Sequence, residues 1–224
     1  MVKVAWNLKA VLAIYLLRLI VGLVLVRLVY PAVFTVTPGI VEITDRVVVI
    51  VLVAIAVWRY QGNFKELGLS LERPFRNILT GLAAGAVLLS ISIFSERIYT
   101  TILFVSPSQH PLVAQAELAI TWQQLLLPLF LAGVAAPVAE EILYRLFTFL
   151  PLKDKWGVWG GALASSVIFA LMHFNVYWLV EMMVVGTGLA LLYYYTGSLI
   201  SAMVAHSFIN TSKIVMIFLG IPLT

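Results

Sequence analysis

From 157 to 210 the chain carries one formal charge, Glu181. A water-facing fold cannot cover a surface with so little charge. The same bias holds throughout: hydrophobic residues make up 62% of the 224, against roughly 45–50% in soluble domains. Charged residues make up 11%, against roughly 25%. These figures exclude a soluble enzyme and a disordered segment. They predict an all-α, polytopic transmembrane helix bundle, because a helix crosses the hydrocarbon in about 20 apolar residues. The net charge is +4, but the 14 Lys and Arg are scattered. With no basic stripe to grip phosphates, no nucleic-acid partner is expected. The absence of Cys removes disulfides, thiolate metal sites and Cys nucleophiles.

Seven spans are expected, over about 8–30, 46–58, 77–95, 122–146, 157–173, 176–195 and 198–219. An eighth, short or re-entrant, helix near 111–120 is the alternative. The first span has a basic start (Lys3, Lys9) like a signal peptide. It is long for one, and Arg18 and Arg27 interrupt it, so it reads as an uncleaved helix. Arg59, Lys65, Arg73 and Arg76 follow the second span, and Lys153 and Lys155 follow the fourth. The positive-inside rule then places the N-terminus in the cytoplasm and the C-terminus outside. The chain reads as a single integral membrane domain, 1–224. Residues 1–120 hold spans one to three and a connecting loop, and 121–224 hold the chemistry.

Charges inside a bilayer are costly and need a reason. Over 121–152 and 157–210 the Asp, Glu, Lys, Arg and His residues are few: Glu140, Glu141, Arg145, His173, Glu181 and His206. His110 falls in a loop and reads as solvated. Glu141 and Arg145 are four apart with the acid first, the favourable order for a helical ion pair. Glu140 points about 100° away from Glu141. The pair could equally mark the end of a span. Pro137 weakens the helix just upstream and frees backbone groups. Phe169 and His173 share a face, as do His206 and Asn210. A lone histidine near a helix end is often a structural hydrogen-bonder, and a His–Asn pair can join membrane helices.

The order Glu-Glu-x-x-x-Arg, Phe-x-x-x-His, His-x-x-x-Asn resembles the three motifs of the CAAX protease and bacteriocin-processing (CPBP/Abi) family. These are intramembrane proteases related to the CAAX prenyl endopeptidase. Glu140, Glu141 and Arg145 match the first motif, Phe169 and His173 the second, His206 and Asn210 the third. The resemblance covers roughly the last hundred residues. A weaker echo is the Leu-Gly-Leu-Ser-Leu-Glu-Arg-Pro stretch before span three.

The resemblance implies a glutamate-dependent endopeptidase acting on a membrane-tethered peptide, either a CAAX-type tail or a bacteriocin-like precursor. Glu140 would be the base, with His173 on the same water. His206 and Asn210 would donate to the oxyanion, and Glu141, Arg145 and Phe169 would support them. No cofactor is expected. Zinc held by Glu140, His173 and His206 is the alternative, though the compact His-Glu-x-x-His pattern is missing. A non-catalytic scaffold or regulator on the same fold is the rival function. Less favoured is a proton-coupled transporter relaying through Glu140, Glu141 and Glu181. The expected spans leave one tension. If spans five and seven start level, helical rise puts His173 about 24 Å along and His206 only about 12 Å.

Overall fold

The computed structural model describes residues 2–102 and 111–221; His110 lies outside them. Every regular element among the described residues is a helix. Helices α1 (Leu8–Val24), α2 (Pro38–Arg59) and α3 (Pro74–Ile102) precede a short α4 (Pro111–Leu118). Then follow α5 (Trp122–Phe130), α6 (Ala136–Glu140), α7 (Leu150–Leu171), α8 (Leu179–Thr196) and α9 (Leu199–Phe218). The starts are set by local chemistry. Asn7, Thr37, Thr121 and Ser198 each accept first-turn backbone N–H groups, and Thr121 with Gln124 forms a capping box. Gly197, with φ 65°, ends α8 in the left-handed conformation.

The protein is an all-α, multi-pass membrane bundle. Five stretches are long and apolar enough to cross a bilayer: Leu8–Ala32, Pro74–Ile98, Trp122–Leu171, Leu179–Thr196 and Leu199–Phe218. The expected fourth and fifth spans follow one another directly, as two helical parts of a 50-residue stretch. It breaks at Gly157, whose φ of 73° and ψ of 176° interrupt α7. Only glycine takes that geometry without strain. Helix α2 carries Glu42, Asp45 and Arg46 in its first half, and 47–58 is the charge-free part. At the usual rise that part is about 18 Å long, short of a bilayer core. Those charges are paired: Arg46 lies 2.5 Å from Glu42, and Arg18 lies 2.7 Å from Asp45. The eight-residue α4 occupies the place suggested for an eighth helix, and it is too short to cross.

Lipid offers little drive for helix association, so small residues and close backbones do the packing. Helix α3 meets α9 in this way. A Cβ on Gly81 would come within 2.7 Å of the Ser201 carbonyl oxygen, and one on Gly85 within 3.0 Å of the Ala205 oxygen. The Ser201 hydroxyl also donates to the Asn77 carbonyl at 3.1 Å. The main core joins α1 and α2 to the 139–150 stretch, with Phe169, Tyr193 and Ala202 closing it.

Candidate active site

Prolines shape the helical path that carries Glu140. Pro137 has no N–H, and its ring crowds the carbonyl four residues back. The path answers with wide, i→i+5 turns over Leu131–Ala135 and again over Glu141–Phe149. Such turns cluster at functional sites. In the first of them the Ala136 N–H bonds to the Leu131 carbonyl. The same spacing would pair the Ala132 carbonyl with residue 137, which is the proline. Asn210 of α9 supplies the missing donor, its Nδ2 lying 2.9 Å from the Ala132 oxygen.

Three ionisable side chains meet at Glu140. Its carboxylate lies 4.0 Å from Nε2 of His173 and 3.7 Å from Nε2 of His206. Neither is a direct hydrogen bond, so both ring edges face the carboxylate without being consumed by it. Each imidazole is oriented from its other nitrogen. His173 Nδ1 lies 2.7 Å from the Phe169 carbonyl, and His206 Nδ1 lies 2.8 Å from Glu141 Oε1. A carbonyl and a carboxylate only accept, so Nδ1 carries the proton in each neutral ring. The two histidines reach one carboxylate, so α7 and α9 do not start level with equal tilt.

Glu141 and Arg145 form the ion pair that their spacing predicts, at 3.2 Å with both side chains fully buried. Glu141 therefore bridges Arg145 and His206. The Arg145 guanidinium also lies 4.9 Å over the Phe169 ring. Phe169 is the hub of the site. Its ring packs edge-on to Tyr144, His173 and His206 at 5.0, 4.7 and 6.0 Å between centroids. Phe174 follows His173 with φ 51° and is 84% exposed. For a bulky residue that left-handed geometry costs about 1–2 kcal/mol, and it turns the chain sharply after His173.

Glu181 does not join this group. It binds Lys213 at 2.6 Å and accepts from the Ser92 hydroxyl, and Glu96 lies 3.1 Å from the same Lys213. Two surface cavities, of about 480 and 520 Å³, open beside the α8–α9 turn, and neither is lined by Glu140. Sequence reasoning missed Tyr144, whose hydroxyl lies 3.4 Å from the Arg18 guanidinium. The available signal was its position four residues after Glu140, on the same face. Nothing local in the sequence links Arg18 or Lys213 to their partners, which lie on other helices.

Residues 122–212 match the family model described as type II CAAX prenyl endopeptidase Rce1-like. That stretch is similar to an Rce1-like domain. It holds Glu140, Glu141, Arg145, Phe169, His173, His206 and Asn210, and leaves out α1 to α4. The chain is also similar to YdiL of Bacillus subtilis (strain 168), a candidate membrane peptidase. The two are 30% identical over 90 residues, covering 40% of this chain. The chain spans 37% of the length of that relative. No solved structure matches.

Within the Rce1-like domain, His206 and Asn210 share a face, yet their hydrogen bonds go to different partners. Asn210 keeps a second N–H beyond the one on Ala132. Two roles predict different kinetics. As oxyanion donor, Asn210→Ala lowers kcat by about 10²–10³-fold with little change in KM. As packing alone, it strands the Ala132 carbonyl at a cost of about 1–3 kcal/mol and leaves kcat unchanged. The first outcome is expected. Measuring kcat, KM and Tm on one detergent preparation decides between them.

Proposed function

We propose that this protein is an intramembrane endopeptidase that hydrolyses a peptide bond of a membrane-tethered substrate, of CAAX type or bacteriocin-like. The observation that carries this reading is the Glu140 carboxylate, faced by two imidazole Nε2 edges inside an apolar bundle. Glu140, beside His173, takes a proton from water as the new carbon–oxygen bond forms at the scissile carbonyl. The carbonyl electrons move to oxygen. The second N–H of Asn210 donates to that oxyanion, joined by the Nε2–H of His206 in the doubly protonated form of its ring, whose Nδ1–H stays on Glu141. Collapse breaks the carbon–nitrogen bond, and the amine leaves with the proton that Glu140 took. Glu141 and Arg145 hold His206 throughout. Proteomics of membranes expressing the wild type or Glu140→Ala tests the function. New peptide termini in the wild type alone support it; identical termini in both sink it.

We read the reaction as metal-free, with zinc as the second reading. Glu140, His173 and His206 are chemically a zinc-binding set, and their outward nitrogens are held as metal-binding histidines often are. Two donors on one tetrahedral zinc lie about 3.3 Å apart, closer than the 3.7 and 4.0 Å here. Among the described residues no group of three His, Cys, Asp or Glu is spaced to hold a metal. Chelation followed by dialysis is expected to leave activity intact, with well under one metal per chain. Stoichiometric zinc that tracks activity would reverse the preference.

The N-terminus is placed in the cytoplasm on the strength of the basic loops. The chain has no Cys, so Glu66→Cys gives a clean probe. An impermeant maleimide should label it from the cytoplasmic side; labelling of intact cells from outside would invert the topology.

A further inference from the structure

We propose that Trp6, Tyr15 and Arg18, all outside the Rce1-like domain, are positioning residues that hold the wide-turn segment in register and so keep Glu141 against His206. Pro151 has no N–H, so the Phe147 carbonyl lacks the donor that an α-helix would place four residues on. The Trp6 indole Nε1 supplies one, at 2.8 Å. Its ring also stacks on Phe147, with centroids 5.2 Å apart and planes 14° apart. This repeats what Asn210 does for Ala132 and Pro137 at the other end of the path. Between these two anchors lie Glu140, Glu141 and Arg145.

Helix α1, which starts just after Trp6, runs along the same segment. The Tyr15 hydroxyl pairs with Thr148 Oγ1 at 3.1 Å, and that Thr148 hydroxyl donates to the Leu143 carbonyl five residues back. Tyr15 also packs on Tyr144, with centroids 6.0 Å apart. Arg18 reaches the Tyr144 hydroxyl at 3.4 Å while Asp45 of α2 holds its Nε and Nη2 at 2.7 and 2.8 Å. Tyr144 in turn packs on Phe169. Trp6 and the polar groups of α1 therefore bond one backbone carbonyl and two hydroxyls between 144 and 148, where the helix is wound loosely. Loss of a wide turn re-registers a helix by one residue, or about 100°. That rotation would swing Glu141 relative to α9 and leave His206 Nδ1 without its acceptor.

The proposal rests on the protease reading, so the experiment separates the two. Trp6→Phe keeps the ring and removes the N–H; Tyr15→Phe removes only the hydroxyl. For each, kcat, KM and amide exchange over 141–149 are measured on full-length protein in detergent. The expected result is a kcat loss of about 10-fold or more per folded molecule, with KM within about 2-fold. Amide exchange should speed up over 141–149 and stay unchanged in the second half of α9. Tyr15→Phe combined with Thr148→Val should cost no more than either alone. Unchanged exchange and kcat in both variants would overturn the proposal. So would a lower Tm with unchanged kcat per folded molecule, the mark of a merely structural role. If wild type and Glu140→Gln cleave alike while exchange still responds, the protease reading fails and the clamp stands.

Discussion

Glu140→Gln is expected to reduce hydrolysis by at least about 10²-fold and to leave the fold intact. The amide keeps the shape of the side chain but cannot take a proton from water, and general-base contributions are typically about 10²–10⁴-fold. The bundle should not suffer, because Glu140 makes no direct hydrogen bond to His173 or His206 at 4.0 and 3.7 Å. A neutral amide is also easier to hold in an apolar setting than a charge. Tm should therefore stay near that of the wild type while kcat collapses. Near wild-type cleavage of a substrate identified by proteomics would remove Glu140 from the role of base.

Breaking the Glu141–Arg145 pair is expected to give the largest loss of stability. Both side chains are fully buried, and removing one partner of such a pair costs about 3–5 kcal/mol because the other charge is stranded. Arg145→Ala and Glu141→Ala should each lower Tm and yield sharply. The double substitution should cost less than the sum, since it leaves neither charge unpaired. Strict additivity in that cycle would mean that the two do not interact. The two single changes should also differ in kinetics. Glu141 accepts from His206 Nδ1, so its loss frees an imidazole at the site. Arg145 touches Glu141 and the Phe169 face, so its loss acts at one remove. Glu141→Ala should therefore lower kcat per folded molecule more than Arg145→Ala does.

Much of this was legible in the residues because it is local. Helical spacing put Glu141 beside Arg145 and turned Glu140 elsewhere, and apolar runs marked the helices. Pro137 announced a disturbed helix. Span boundaries were less legible. The helix break at Gly157 falls where the fifth span was expected to start, but the helical path before it runs past 146 as far as 156. His173 and His206 stand apart only if their helices start level and are equally inclined, and in the structure both reach Glu140.

Partners across helices were not readable at all. Spacing put His206 and Asn210 on one face without naming what holds each. In the structure His206 is held by Glu141, and Asn210 serves a carbonyl that Pro137 left without a donor. Arg18 looked like an interruption in an apolar span, yet it joins Asp45 to Tyr144. Glu181, isolated in the sequence, shares Lys213 with Glu96. The sequence by itself determined the all-α membrane architecture and the short inventory of ionisable groups. Both follow from the cost of unpaired polar groups in lipid and from the period of one helix. Only the tertiary structure decided which of those groups meet, because that depends on how separate helices start, tilt and approach, and on where prolines orphan a carbonyl that another helix must satisfy.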